Sequence, residues 1–91
     1  MALVNDELLL AITDCDTLDE IRVVSLRDKR IQACLNVLAR CPNLTIAYLQ
    51  NNMLQVRDLS FLHMFRNLKK IDLSDNGIEA LPHKSVFEGL N

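Results

Sequence analysis

The chain has no tryptophan, one tyrosine and three phenylalanines among its 91 residues. With 49% of residues apolar and only 4% aromatic, the core must be built from Leu, Ile and Val. That composition suits a layered or repetitive architecture better than one centred on a few large rings. It also leaves no aromatic platform on which single-stranded nucleic acid would stack. The only two glycines, Gly77 and Gly89, do not form a phosphate-cradling loop. Three cysteines, Cys15, Cys34 and Cys41, are odd in number and lack a CxxC pair, so they read as small free thiols and not as a disulfide or zinc framework. Ten Lys and Arg against twelve Asp and Glu give a net charge of −2, which argues against a dedicated nucleic-acid surface. The opening residues carry no basic stretch, and the apolar run from Leu8 to Ile12 is too short for a signal or membrane segment. These absences predict one small cytoplasmic domain, with the nucleus as the alternative compartment.

Catalysis finds little support. His63 and His83 stand alone, without a Cys or acid at metal-ligand or triad spacing. Cys41, before Pro42, reads as a buried junction residue. No catalytic residue, metal site or cofactor is expected, and the chain reads as non-enzymatic.

What is present is a recurring pattern. Leu68-Lys69-Lys70-Ile71-Asp72-Leu73-Ser74-Asp75-Asn76-Gly77-Ile78 has the form LxxLxLxxNxI. Ile71 and Leu73 are two residues apart, so they share one face of a strand. Asn76 then offers an amide able to bond the open backbone groups of a sharp turn and of a neighbouring segment. The pattern returns at Leu44, Ala47, Leu49, Asn52 and Leu54, and more loosely at Ile21, Val24, Leu26 and Ile31, where Lys29 replaces the amide. Starts at 21, 44 and 68 give periods of 44 − 21 = 23 and 68 − 44 = 24 residues. Between them, Cys34, Leu35 and Leu38 on one return, and Val56, Leu59, Leu62 and Phe65 on the next, are expected to point inward. After the third copy Leu81, Pro82, Val86, Phe87 and Leu90 follow. Ahead of the first, Asn5-Asp6-Glu7 predicts a helix start, with Leu8, Ile12 and Cys15 as its apolar stripe. The expected organisation is a capping helix and loop over residues 1–20 and three repeats over 21–43, 44–67 and 68–91. No polar cap follows, so the last coil is expected to leave an open edge prone to self-association, and the chain to be a fragment, a short isoform of a longer protein, or a protein whose last coil a partner covers.

These motifs carry the leucine-rich-repeat signature. They resemble the cytosolic class typified by the protein phosphatase 1 regulatory subunit, which includes axonemal and spliceosomal members. Tyr48-Leu49-Gln50-Asn51-Asn52 is similar to wording common in ciliary members, and residues 81–90 resemble leucine-rich-repeat and IQ-domain proteins without an IQ helix. Lys29 and Ala47 depart from the pattern. The resemblance implies an α/β leucine-rich-repeat solenoid with short parallel strands on a concave face, helical or irregular returns and an N-terminal helical cap. A ciliary or axonemal setting is implied in the same way.

If Val24/Leu26, Ala47/Leu49 and Ile71/Leu73 face in, the alternating positions face out. These are Val23, Ser25 and Arg27; Ile46, Tyr48 and Gln50; and Lys70, Asp72 and Ser74. Ile46 and Tyr48 would sit at the centre, a fit for an interface anchor rimmed by Arg27, Lys70 and Asp72. Two apolar residues on a surface are also compatible with no function. The expected function is a protein-interaction module with no membrane contact. The alternative is a ribonucleoprotein scaffold resembling the spliceosomal U2 A-prime protein, using Arg22, Arg27 and Lys70. The run Arg22, Arg27, Lys29 and Arg30 more simply reads as a solvated edge.

Overall fold

The computed structural model describes residues 4–78 and 86–88. Leu81, Pro82, His83 and Leu90, which entered the sequence reading, lie outside the described residues.

Helix α1, Asp6–Thr13, starts where the sequence places a cap: the Asn5 Oδ1 accepts the Leu8 N–H at 2.9 Å. Asp6 and Glu7 occupy its first turn, facing the positive end of the helix dipole. It stops at Asp14, which adopts a left-handed conformation at φ 57°. The expected stripe is met in part: Leu8 and Cys15 pack against the core. Leu9 is fully buried while Ile12 is 38% exposed. Five consecutive apolar residues let the sequence support more than one stripe, and the contacts select Leu9. Thr13, one turn on, returns its hydroxyl to the Leu9 carbonyl at 2.7 Å. The polar stretch beyond α1 is folded around Glu20, whose Oε1 accepts the N–H groups of Asp16 at 2.9 Å and Thr17 at 3.0 Å.

Strand β1 (Val23–Ser25), the one-turn helix α2 (Leu35–Leu38), strand β2 (Ile46–Tyr48), a 3₁₀ helix (Val56–Met64), β3 (Lys70–Asp72) and β4 (Val86–Glu88) follow. The sheet is open and mixed, in the order β1-β2-β3-β4. The first three strands are parallel and aligned as Val23↔Ile46↔Lys70, Val24↔Ala47↔Ile71 and Ser25↔Tyr48↔Asp72. The aligned residues are thus separated by 46 − 23 = 23 and 70 − 46 = 24 positions. Strand β4 runs antiparallel to β3, pairing Asp72 with Val86 and Lys70 with Glu88. The outer edge of β3 is therefore covered, contrary to the open edge expected there. The β-branched and aromatic pair Val86-Phe87 supplies a strand that a reading of the repeat alone did not assign.

The core lies behind the sheet. Ile21, Val24, Leu26, Ile31, Leu44, Ala47, Leu49, Leu68, Ile71 and Leu73 are all buried, and α1 packs beside β1. Cys34, Leu35 and Leu38 close the first return. The second return differs from expectation at one end. Leu59, Leu62 and Phe65 pack against the core, but Val56 is 57% exposed. The inward place there is held by Asp58, buried so that its Oδ2 can accept the Gln55 N–H at 2.8 Å.

Candidate functional site: the outward face of the sheet

Two turns hold the parallel strands in register, and both depend on a buried asparagine. Asn52 Oδ1 accepts the N–H groups of Lys29 at 3.0 Å and Ile31 at 3.1 Å. Its Nδ2 donates to the carbonyls of Leu26 and Leu49, each at 2.9 Å. One side chain thus bonds its own turn and the preceding one. Asn76 repeats the arrangement: Oδ1 accepts the Leu54 N–H at 3.1 Å, and Nδ2 donates to Leu49 and Leu73 carbonyls, each at 3.0 Å. Lys29, where the pattern lacks its amide, instead supplies a backbone donor to Asn52 and leaves its side chain exposed. At the opposite strand ends, Asn43 Nδ2 donates to the Asp19 carbonyl and Asn67 Nδ2 to the Pro42 carbonyl, both at 2.9 Å.

This frame sets out the outward rows. Val23, Ile46 and Lys70 are aligned, as are Ser25, Tyr48 and Asp72. Backbone pairing continues past the strands: Leu26 donates to the Tyr48 carbonyl at 2.8 Å, Asp28 to Gln50 at 3.2 Å and Asn51 to Ser74 at 2.9 Å. Arg27 and Gln50 extend the outward rows beyond the strand ends, exposed and half-buried respectively. Ser74 does not join them as an open side chain. It is buried, in a turn where its N–H donates to Asp72 Oδ1 at 3.0 Å. Arg27 and Gln50 stand equally far past their own strands and are not buried, so Ser74 alone of the three is covered.

The face is apolar at its β1 side and centre and polar beyond. Val23 is 49% exposed, while Ile46 and Tyr48 are half-buried. Lys70 Nζ lies 5.5 Å from the Tyr48 ring centroid and 3.4 Å from Glu88 Oε1. The ammonium therefore sits between a ring and a carboxylate, both of which restrict it; contacts of this kind contribute about 0.5–1 kcal/mol at exposed sites. Glu88 was missing from the expected site because it belongs to β4. An aliphatic-aromatic-acidic triplet at 86–88 carried no stronger signal than many others. Within this face, Gln50 Oε1 is enclosed without a hydrogen-bond partner among the described residues.

Other candidates do not gather. Arg22, Arg27, Lys29 and Arg30 are all exposed, but Arg22 precedes the outward alternation that Val23 begins. His63 is exposed, with Nδ1 2.6 Å from the Ser60 carbonyl. Burial pushes the Cys34 thiol up from 9.0 to about 12, with Asp58 adding to the shift. Cys41 is also pushed up, by burial first and then by Asp6. Both thiols are thereby kept protonated and poorly nucleophilic at neutral pH. Among the described residues, no three His, Cys, Asp or Glu side chains are grouped to hold a metal, and no helix is long and apolar enough to cross a membrane. No family model, curated protein or solved structure matches the chain.

Proposed function

We propose that the chain is a leucine-rich-repeat module that binds a protein segment across the outward face of its sheet. The observation that carries this reading is the aligned face itself, in which Val23, Ile46 and Tyr48 present apolar surface beside the restrained Lys70. A rigid parallel sheet loses little entropy when a partner docks, and a central tyrosine flanked by aliphatic groups is a common energetic anchor. Arg27 and Asp72 supply charges of opposite sign at the margins. The face calls for an extended segment with an apolar anchor for Val23 and Ile46. In this reading the protein is non-enzymatic and works in the cytoplasm, with a ciliary or axonemal setting following from the sequence resemblance.

The test is a selection of peptides from a random display library, followed by affinity measurement on variants. Tyr48→Ala and Ile46→Asp should weaken selected binders by at least tenfold, equivalent to about 1.4 kcal/mol. Met53→Ser, at an exposed apolar residue elsewhere, should not. Binders indifferent to Tyr48 and Ile46 but sensitive to Met53 would contradict the proposal.

A second reading, a ribonucleoprotein scaffold, would use the exposed Arg22 and Arg27 together with Lys70. It requires association with an RNA hairpin that weakens steeply with salt. No association at low salt would remove it.

A further inference from the structure

Asn76 is followed by Gly77, the only Asn-Gly pair in the sequence. In an open chain this dipeptide favours attack by the following backbone nitrogen on the asparagine side chain, because glycine has no Cβ to obstruct the approach. In the folded chain the same side chain is buried, with its amide donating to Leu49, Leu73 and Ser74 carbonyls and its Oδ1 accepting from Leu54. Those bonds fix the side-chain torsions and hold Cγ within the turn.

We infer that Asn76-Gly77 is a deamidation site closed by folding, so that opening of this turn exposes it to a covalent change that prevents reclosure. The Gly77 nitrogen forms a bond to Asn76 Cγ and loses its proton. The Cγ–Nδ2 bond breaks, and the amide leaves as ammonia. Water then opens the resulting succinimide at either carbonyl, leaving aspartate or isoaspartate. No oxidant or reductant is involved.

The product cannot re-form the turn. Aspartate at 76 would set a carboxylate against the carbonyl oxygens of Leu49, Leu73 and Ser74, replacing three donated hydrogen bonds with repulsion between acceptors. A buried charge without a partner is among the most destabilising single changes. Isoaspartate would add a methylene to the backbone as well. Either product unlatches β3 from β2. The chain contains its own control: Asn52 occupies the equivalent place but is followed by Met53, whose side chain hinders the approach.

If the reaction proceeds only from the open turn, its native rate is the unfolded rate multiplied by the open fraction. Matched samples of the full chain should be held in native buffer and in urea at the same mildly alkaline pH, then mapped by peptide mass spectrometry. Urea should convert Asn76 and spare Asn52, whereas the native sample should convert at least tenfold more slowly. After urea is removed, the converted fraction should remain unfolded by circular dichroism while unconverted chains refold. Gly77→Ala should slow conversion in urea, where the variant's folded stability is irrelevant. Equal native and urea rates, conversion at Asn52 in place of Asn76, an unchanged Gly77→Ala rate, or full refolding of the converted chains would each overturn the inference.

Discussion

The turns at Asn52 and Asn76 have the same plan and unequal consequences. Asn52 lies between two parallel strand units and joins the Lys29 and Ile31 N–H groups to the Leu26 and Leu49 carbonyls. Among the described residues Asn76 accepts one N–H, from Leu54, and it is followed by a glycine. The first latch is more fully bonded and chemically shielded. The second has fewer accepted bonds among the described residues and, once its turn opens, a glycine beside it that permits the reaction proposed above. Repetition in sequence therefore need not mean equivalent stability, because each asparagine acts through the segments on either side of it.

The largest expected effect is from Asn52→Ala. It strands two N–H groups and the Leu26 carbonyl, while the Leu49 carbonyl keeps the Asn76 amide; a loss of about 3–5 kcal/mol is expected, much of the stability of a small domain. Urea denaturation followed by circular dichroism measures it. Asn76→Ala should cost less, about 2–3 kcal/mol on the same reasoning. Equal losses would break the ranking of the two turns.

Cys34 gives a pH-dependent probe of the core behind these turns. In the unfolded chain its thiol titrates near the ordinary value of 9.0, and in the folded chain it is pushed up to about 12. Between those values the unfolded state loses a proton that the folded state keeps. This group's stabilisation is therefore complete below about pH 9 and falls as pH rises toward about 12, by up to ~1.4 kcal/mol per pH unit. Cys34→Ala should start from a lower stability and lack that slope. An identical alkaline slope in the variant would assign the effect to other groups.

A smaller effect, of opposite sign, separates the first turn from the later ones. Asp28, Asn51 and Asp75 occupy corresponding left-handed positions, at φ 60°, 59° and 57°, and Asn and Asp tolerate that region. Arg30 also adopts positive φ, at 56°, where the third turn has Gly77 at 71°. Arg30→Gly should raise stability by about 0.5–1 kcal/mol by relieving strain. A loss would mean that the arginine side chain contributes more than its backbone costs. The smallest change is expected for Arg40→Ala, which removes the 2.9 Å pair with Asp6. Both partners are solvent-exposed, and such pairs typically contribute less than 1 kcal/mol.

The strand alternation and turn asparagines were legible because period and residue chemistry agree: Ile71 and Leu73 mark one face, and Asn76 must bond what the bend leaves open. The outward row was legible from alternation at Val23, Tyr48 and even Arg27 and Gln50 past the strand ends, but alternation says nothing of what covers a side chain, and Ser74 is buried. The helix stripe was legible at Leu8 and Cys15 but failed at Ile12, since residues 8–12 offer no polar break to choose a side. Val56 failed because a capping carboxylate, Asp58, competed for the interior. Strand β4, and with it Glu88 beside Lys70, had no counterpart in the repeating pattern and depended on long-range pairing.

Amide hydrogen exchange in the Asn52→Ala protein tests most directly whether each asparagine latches its neighbouring strand unit. The account predicts that the Lys29 and Ile31 amides, which Asn52 accepts, lose protection while the Leu54 amide, which Asn76 accepts, keeps it. Undiminished protection at Ile31, or an equal loss at Leu54, would contradict it.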